Sequence, residues 1–253
     1  MRSRSRFVPL LAAWLLIAAA AGATPSVSPS ADFTALVRKA ERALADRRMP
    51  EVIALYEQAG AIAMASSRPG DHAFALARHC GALWYSERPR ESRPMCERAL
   101  RLAQGAGAPH AASEAERVLG MLDGDLGRYE SAEAHLHRAV EHAEAAGAAG
   151  SLSAAYVSLS VAARTQGRHA DAADYARRAL EAQDGATDLP AGAAFAPRFN
   201  LGKALEGEGD EEGATEVRID HYGVKIQKAR DAAQADPKAV ANIIKDWIDP
   251  SGS

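Results

Sequence analysis

The chain has 253 residues, with 30 Lys or Arg against 33 Asp or Glu and a formal net charge of −3. It is 47% hydrophobic, 6% aromatic and rich in alanine, which favours helices because Ala loses no side-chain entropy in a helix. Two cysteines exclude a disulfide-stapled miniprotein and a multi-cysteine zinc module. The near-neutral charge argues against nucleic-acid binding by charge neutralisation.

The amino terminus has the pattern of a secretory signal peptide. Three arginines, an apolar run and a small-x-small site follow one another: Arg2, Arg4 and Arg6, residues 7–21, and Ala21-Gly22-Ala23. The run is shorter than the ~18–20 residues that span a bilayer, so we expect residues 1–23 to be cleaved after Ala23. The alternative is a retained anchor. The mature protein would be periplasmic or secreted, without a permanent membrane span, and residues 24–30 would form a disordered leader.

Small residues recur about every 40 positions along the rest of the chain. Three columns and one turn position carry this repeat: Ala40, Cys80, Gly120, Ser160 and Gly202; Val52, Ser92, Ala132, Ala172 and Ala214; Ala59, Ala99, Ala139 and Ala179; and, at the turns, Arg47, Glu87, Gly127, Gly167 and Gly209. Antiparallel helices approach closely only where side chains are small. The columns therefore predict five helical hairpins. Four longer loops are expected between them: Ser66 to Asp71, Gln104 to Pro109, Ala146 to Gly150 and Asp184 to Gly192.

The third unit carries the most specific signature. Its residues Leu119-Gly120, Gly127, Tyr129, Ala132, Leu136 and Ala139 resemble the tetratricopeptide repeat, a resemblance that covers residues 31–222 and is strongest from residue 112. The resemblance implies an all-α, right-handed superhelical solenoid. It also implies a non-enzymatic scaffold that binds a protein or peptide on its concave face, without a cofactor.

Helical geometry places a set of side chains on that concave face. They are Arg38, Glu41, Phe74, Arg78, Trp84, Tyr85, Arg117, Met121, Val157, Arg164, Phe199 and Lys203. A basic line through Arg78, Arg117, Arg164 and Lys203 would suit an acidic partner, since guanidinium groups match carboxylates. The alternative is that these charges are simply solvated.

Catalytic and metal-binding patterns do not occur in the sequence. It lacks the G-x-S-x-G, P-loop, H-E-x-x-H and kinase motifs, so we expect no enzyme. His135, His137 and His142 share one predicted helix, but their spacing does not place neighbours on one face, and no metal site is expected. A regulatory or sensory module of the cell envelope remains a second hypothesis.

Cys80 and Cys96 fall in the two helices of the second hairpin. An oxidising compartment would allow a disulfide between them. Antiparallel pairing, however, places Ser92 opposite Cys80, with Cys96 one helical turn away. We therefore expect two buried free thiols, with the disulfide as the alternative.

Residues 223–253 are predicted to contain a separate amphipathic helix. Asp236-Pro237 is a typical helix start, and an apolar stripe follows: Val240, Ile243, Ile244, Trp247 and Ile248. Such a helix is expected to cap the last hairpin. Residues 236–248 also resemble the C-terminus of the flagellar membrane-ring protein, which implies docking to a rotor component as the alternative.

Overall fold

The computed structural model describes residues 31–184 and 195–217, and every regular element within these ranges is helical. The helices are α1 (Ala31–Ala45), α2 (Met49–Ala65), α3 (Pro69–Tyr85), α4 (Pro89–Ala106), α5 (Pro109–Asp125), α6 (Tyr129–Ala146), α7 (Ala149–Thr165), α8 (His169–Glu181) and α9 (Phe195–Glu208). Residues 211–217 are also helical. Each helix packs against the next along the chain, which confirms the predicted solenoid of stacked hairpins.

The turns recur every 20 residues, so that two helices make up the predicted 40-residue unit. From α2 to α8, each helix begins 20 residues after the one before it. In each turn that the structure describes in full, one residue has a positive φ, between 52° and 82°: Arg47, Ser67, Glu87, Gly107, Gly127, Gly147, Gly167 and Gly209. In the turn at Gly127, for example, the Arg128 N–H donates to the Asp123 carbonyl at 2.9 Å, which is the hydrogen bond that closes a Schellman turn. All five predicted turn residues are confirmed.

The loops predicted between hairpins are too long. Ser66 to Asp71, Gln104 to Pro109 and Ala146 to Gly150 are wrong in extent, because helices begin at Pro69, Pro109 and Ala149. Proline fits the first turn of a helix, where its missing N–H has no partner to lose. Part of the fourth loop, Asp184 to Gly192, lies outside the described residues.

The small-residue columns form the contacts between helices. Ala40, Cys80, Ala59 and Ala99 are completely buried. A Cβ added to Gly120 would lie 2.7 Å from Leu136 Cγ and 3.0 Å from the Ala132 carbonyl oxygen. Glycine is therefore required where α5 crosses α6, as the repeat predicts.

Serine hydroxyls add hydrogen bonds across the same contacts between helices. The Ser92 hydroxyl donates to the Cys80 carbonyl at 2.8 Å, and Ser160 donates to the Ala172 carbonyl at 2.7 Å. Because each acceptor belongs to the facing helix, the hydroxyl ties two backbones together without a bulky side chain.

Cys80 and Cys96 form a disulfide that joins α3 to α4, with Cα atoms 5.4 Å apart. The expectation of two free thiols is therefore wrong. Ser92 does contact Cys80, as predicted. Cys96 follows Ser92 by four residues on the same face of α4, however, and the rise of about 5.4 Å per turn leaves Cys80 within reach of both.

Several predictions concern residues outside those described. They are the signal peptide (1–23), the leader (24–30) and the C-terminal helix with Val240, Ile243, Ile244, Trp247 and Ile248. Among the helices that are described, none combines the length and apolar character needed to cross a membrane.

Candidate functional site

A groove of about 520 Å³ opens between α5 and α7. Its floor includes Tyr129 and Leu136 of α6, and its ends reach Trp84 of α3 and Pro197 of α9. The groove exists because adjacent hairpins are unevenly spaced: α3 and α5 pack along one another, whereas α5 and α7 meet at fewer positions. We call this feature the α5–α7 groove.

Helix α7 forms the longest wall of the α5–α7 groove. Its lining residues recur at intervals of three and one, which places them on one helical face: Gly150, Ser153, Ala154, Val157, Ser158, Val161, Ala162 and Thr165. None of these side chains is charged or larger than Val. The opposite face of α7, with Ala155 and Leu159, packs against α6. An uncharged face of small residues gives the groove its depth.

An aromatic pair stands where α3 ends. The Trp84 and Tyr85 rings meet edge to face with centroids 4.7 Å apart. The Trp84 Nε1–H donates to Asp125 Oδ2 at 2.7 Å, which fixes the indole against the end of α5. Tyr85 is 54% exposed. A second cavity of about 400 Å³ adjoins this pair and is bounded also by Glu87 and Pro89.

A buried carboxylate organises the charges beside the groove. Glu114 accepts hydrogen bonds from Arg117 at 3.0 Å and from Ser151 of α7 at 3.0 Å, and it pairs with Arg78 at 3.5 Å. Burial alone would raise the pKa of Glu114, but the charges of Arg117 and Arg78 outweigh it and hold the pKa far below its usual value. Glu114 is therefore ionised at neutral pH.

Arg78 extends this network towards the first hairpin. Its guanidinium lies 2.6 Å from a carboxylate oxygen of Glu41 on α1, and its Nε–H donates to the Tyr56 hydroxyl at 3.1 Å. Burial raises the pKa of Tyr56 to about 12, so this hydroxyl stays protonated and donates to Glu41. The network joins α1, α2, α3, α5 and α7 through charged hydrogen bonds.

A second cluster of charges lies where α4, α5 and α6 meet. Asp123 binds Arg93 at 2.5 Å and the Ser131 hydroxyl at 2.5 Å. Glu116 binds His135 and Arg138. His135 is thus a partner of a buried carboxylate. Within residues 31–184 and 195–217, no cluster of His, Cys, Asp and Glu has the makings of a metal site.

The predicted concave-face residues divide into two groups. Trp84, Tyr85, Arg117, Met121 and Val157 line the α5–α7 groove. The others lie outside its lining: Arg38, Glu41, Phe74, Arg78, Arg164, Phe199 and Lys203. Of these, Phe74 packs against His110 with ring centroids 5.0 Å apart, and Lys203 pairs with Glu206 at 2.9 Å.

The predicted basic line is neutralised at its centre. Glu114 balances both Arg78 and Arg117, and Glu41 adds a second carboxylate beside Arg78. Sequence reasoning missed Glu114 because a glutamate three residues before an arginine on a helix is typical of a solvated pair. It placed Val157 on the groove but missed the rest of the α7 wall, whose signal was the absence of any Asp, Glu, Lys or Arg between residues 149 and 163.

Comparison with protein families matches residues 112–184 to the tetratricopeptide repeat. The match begins where the sequence signature is strongest, and it supports the resemblance to the tetratricopeptide repeat in this part of the chain. No curated protein matches the chain. The resemblance of residues 236–248 to the flagellar membrane-ring protein is not shown by these comparisons and stays a prediction.

Solved structures share the fold at low sequence identity. A Rap protein complexed with Competence and Sporulation Factor has a TM-score of 0.67 and 14% identity, over 87% of this chain and 64% of that chain, which is less than two thirds of its length. BtubC (BKLC) from P. vanneervenii has a TM-score of 0.58 and 17% identity, over 78% and 82%. The nearly identical repeats of a putative kinesin light chain from Podosopora anserina, in a variant form, have a TM-score of 0.52 and 16% identity, over 78% and 96%.

Proposed function

We propose that the chain is a non-enzymatic scaffold, exported from the cytoplasm, that binds a segment of a partner protein in the α5–α7 groove. Proteins with tetratricopeptide-like repeats generally mediate protein–protein interaction. The observation that carries the proposal is the groove itself, about 520 Å³ in volume and lined by the uncharged face of α7. A helix face turned towards solvent usually carries charges, so this one is suited to being covered by a partner.

The groove is also preorganised. Its α5 wall is fixed by the Glu114–Arg117 pair, and its α7 wall is tied to the same carboxylate through Ser151. A ligand entering it would not have to order these side chains, and an ordering cost of about 0.5–1.5 kcal/mol for each long side chain is avoided.

Crosslinking in the producing cells tests this function. A photo-crosslinking amino acid at Val161, which is 38% exposed in the groove, should capture a defined partner. Ala154→Trp fills the groove and should abolish capture, whereas Ala145→Trp, on the exposed side of α6, should not. Capture that survives Ala154→Trp would place binding elsewhere and contradict the proposal.

Export rests on residues 1–23 and is supported by the Cys80–Cys96 disulfide. Disulfides persist in oxidising compartments and are rare in the cytosol. The native protein should begin at Thr24, which mass analysis of its N-terminus measures. Intact Met1 on most exported molecules would contradict cleavage.

The C-terminal stripe is proposed to cap the last hairpin, since repeat arrays need a cover for their terminal face. Truncation after Ala235 should then lower the melting temperature and increase binding of an apolar dye. Unchanged melting, together with binding of the isolated tail peptide to a flagellar rotor component, would favour docking instead.

A further inference from the structure

We propose that the segment bound in the α5–α7 groove carries a basic residue, seated between Glu87 and Asp125, next to two or three apolar residues that lie along α7. This inference rests on the proposed function and specifies the chemistry of the partner. It reverses the acidic partner expected from the sequence.

Three helices end at one end of the groove. Tyr85, Asp125 and Thr165 are the last residues of α3, α5 and α7, and all three line it. A helix C-terminus carries a partial negative charge of about half an elementary charge, because its last carbonyl groups lack intrahelical partners. The N-termini of α4 and α6, at Pro89 and Tyr129, border the same end and carry the opposite partial charge. The helix ends therefore largely offset one another, and the sign of the charge there depends on nearby side chains.

Two carboxylates, Glu87 and Asp125, make this end of the groove negative. Glu87 follows α3 directly and bounds the 400 Å³ cavity together with Asp125. In the part of the chain that the structure describes, neither carboxylate forms a salt bridge: Asp125 accepts only the Trp84 indole N–H, and the nearby Arg88 and Arg128 pair with Glu91 and Asp123 instead. We call Glu87, Asp125, Trp84 and Tyr85 the acidic end.

The aromatic rings make the acidic end selective for an organic cation. Trp84 and Tyr85 bound both cavities, and an ammonium or guanidinium group over an indole or phenol face gains cation–π attraction. A lysine or arginine side chain can also lay its methylene stem on these rings while its charge reaches the carboxylates.

Among the described residues that line it, the remainder of the groove is electrically neutral. Arg117 is the other charged residue of this set, and Glu114 balances it. From Gly150 to Thr165 the α7 wall extends about 22 Å at 1.5 Å per residue, the length of six or seven residues of an extended peptide. Met121, Val157 and Val161 supply apolar contacts along it.

Peptide selection on the full-length protein tests the inference. Random octapeptides displayed on phage would be selected against the native protein and, in parallel, against Ala154→Trp. We expect groove-dependent peptides enriched in Lys or Arg beside Leu, Met or aromatic residues. Synthetic versions with the basic residue replaced by Gln should bind about tenfold more weakly, since an exposed ion pair and a cation–π contact together supply about that factor.

A matched pair of variants isolates the acidic end. Glu87→Gln with Asp125→Asn should remove the preference for the basic peptide over its Gln version, whereas Glu141→Gln with Glu144→Gln should retain it. The latter removes two exposed charges from α6, outside both cavities. Raising the salt concentration should weaken the preference in the native protein, because exposed charges are screened.

The outcomes separate the two proposals. Peptides that lose binding in Ala154→Trp but prefer Glu or Asp, or show no charge preference, would overturn the basic-residue inference and leave the groove function standing. Peptides that bind Ala154→Trp as well as the native protein would overturn both.

Discussion

The first two hairpins and the next two reach the same backbone with different residues. In the first region, α1 to α4, the left-handed turn positions are Arg47, Ser67 and Glu87; in the second, α5 to α8, they are Gly127, Gly147 and Gly167. A non-glycine residue in that conformation costs about 1–2 kcal/mol. The turns nevertheless share one conformation. Helix packing and the closing hydrogen bonds therefore impose the turn, and the residue at the left-handed position determines only its energetic cost.

The first region has features that offset this cost. Pro50, Pro69 and Pro89 lie at the first or second position of its helices α2, α3 and α4, which reduces the freedom of the unfolded chain. The Cys80–Cys96 disulfide adds a covalent link. The family match begins at residue 112, just after Pro109 of α5, and helices α6, α7 and α8 contain no proline. The match therefore follows the local sequence of the second region, although both regions share one fold.

The largest effect is expected where the two regions are joined. Glu114→Gln should leave Arg78 and Arg117 buried beside a neutral amide, and breaking such a buried pair costs about 3–5 kcal/mol. Urea unfolding measures the loss. The exposed Glu141→Gln should change stability by less than about 0.5 kcal/mol. A small effect of Glu114→Gln would show that the regions are held together by apolar packing alone.

Acid should weaken the Glu114 ion pairs that join the two regions. Because the folded-state pKa of Glu114 lies below its unfolded value, its contribution is complete above that value and is lost as the pH falls through the folded pKa. The unfolding free energy should therefore decline below about pH 4.5, and less steeply in Glu114→Gln. Equal slopes of unfolding free energy against pH in both proteins would assign the acid sensitivity to other groups. Glu116 and Asp123 are such groups, because burial raises their pKa values but their hydrogen bonds outweigh it and keep the pKa values low.

Loss of the disulfide should weaken the first region. Cys80→Ala with Cys96→Ala opens a loop of 16 residues, and the chain-entropy relation gives about 3 kcal/mol for a loop of that length. Denaturant unfolding measures the change, and the native protein in reductant should show a similar loss. Two titratable thiols in the unfolded, unreduced protein would contradict the bond.

An overpacked helix crossing should weaken the second region. Gly120→Leu forces a side chain into the space of Leu136 and the Ala132 carbonyl, at a cost of about 1–3 kcal/mol. Gly124→Leu serves as the control, since no heavy atom lies within 4 Å of its added Cβ. Equal denaturation midpoints for the two variants would mean that α5 does not cross α6 at Gly120.

The turns themselves give the smallest and most direct comparison. Gly167→Ala should cost about 1 kcal/mol, because Ala is strained at a φ of 74° and its Cβ meets no atom within 4 Å that would clash. Arg47→Gly should instead stabilise by a few tenths to about 1 kcal/mol. Thermal unfolding of both variants measures the difference. Effects of the same sign would show that the turn residues do not limit either region.

The helices and the contacts between them could be predicted from the sequence, because both depend on the local spacing of residues. Gly120 and Ala139 could be placed from the 40-residue repeat alone, and Gly127 from helix-ending rules. The groove could not be placed in this way, since it depends on how far α7 stands from α5, a distance set by many side chains together. The disulfide was predicted wrongly for a related reason. A residue that faces an antiparallel helix lies between two residues of that helix one turn apart, and the pairing register identifies only one of them.

The even 20-residue spacing of the turns also bears on how such a chain can change length. Removing residues 109–148 would join Ala108 directly to Ala149, so that one helix start replaces another after the same turn. Duplicating the same stretch would add a hairpin without shifting any existing helix. Gain or loss of a whole unit is thus a smaller disturbance than insertion of a single residue within a helix, and the number of hairpins is open to change by recombination of the coding sequence.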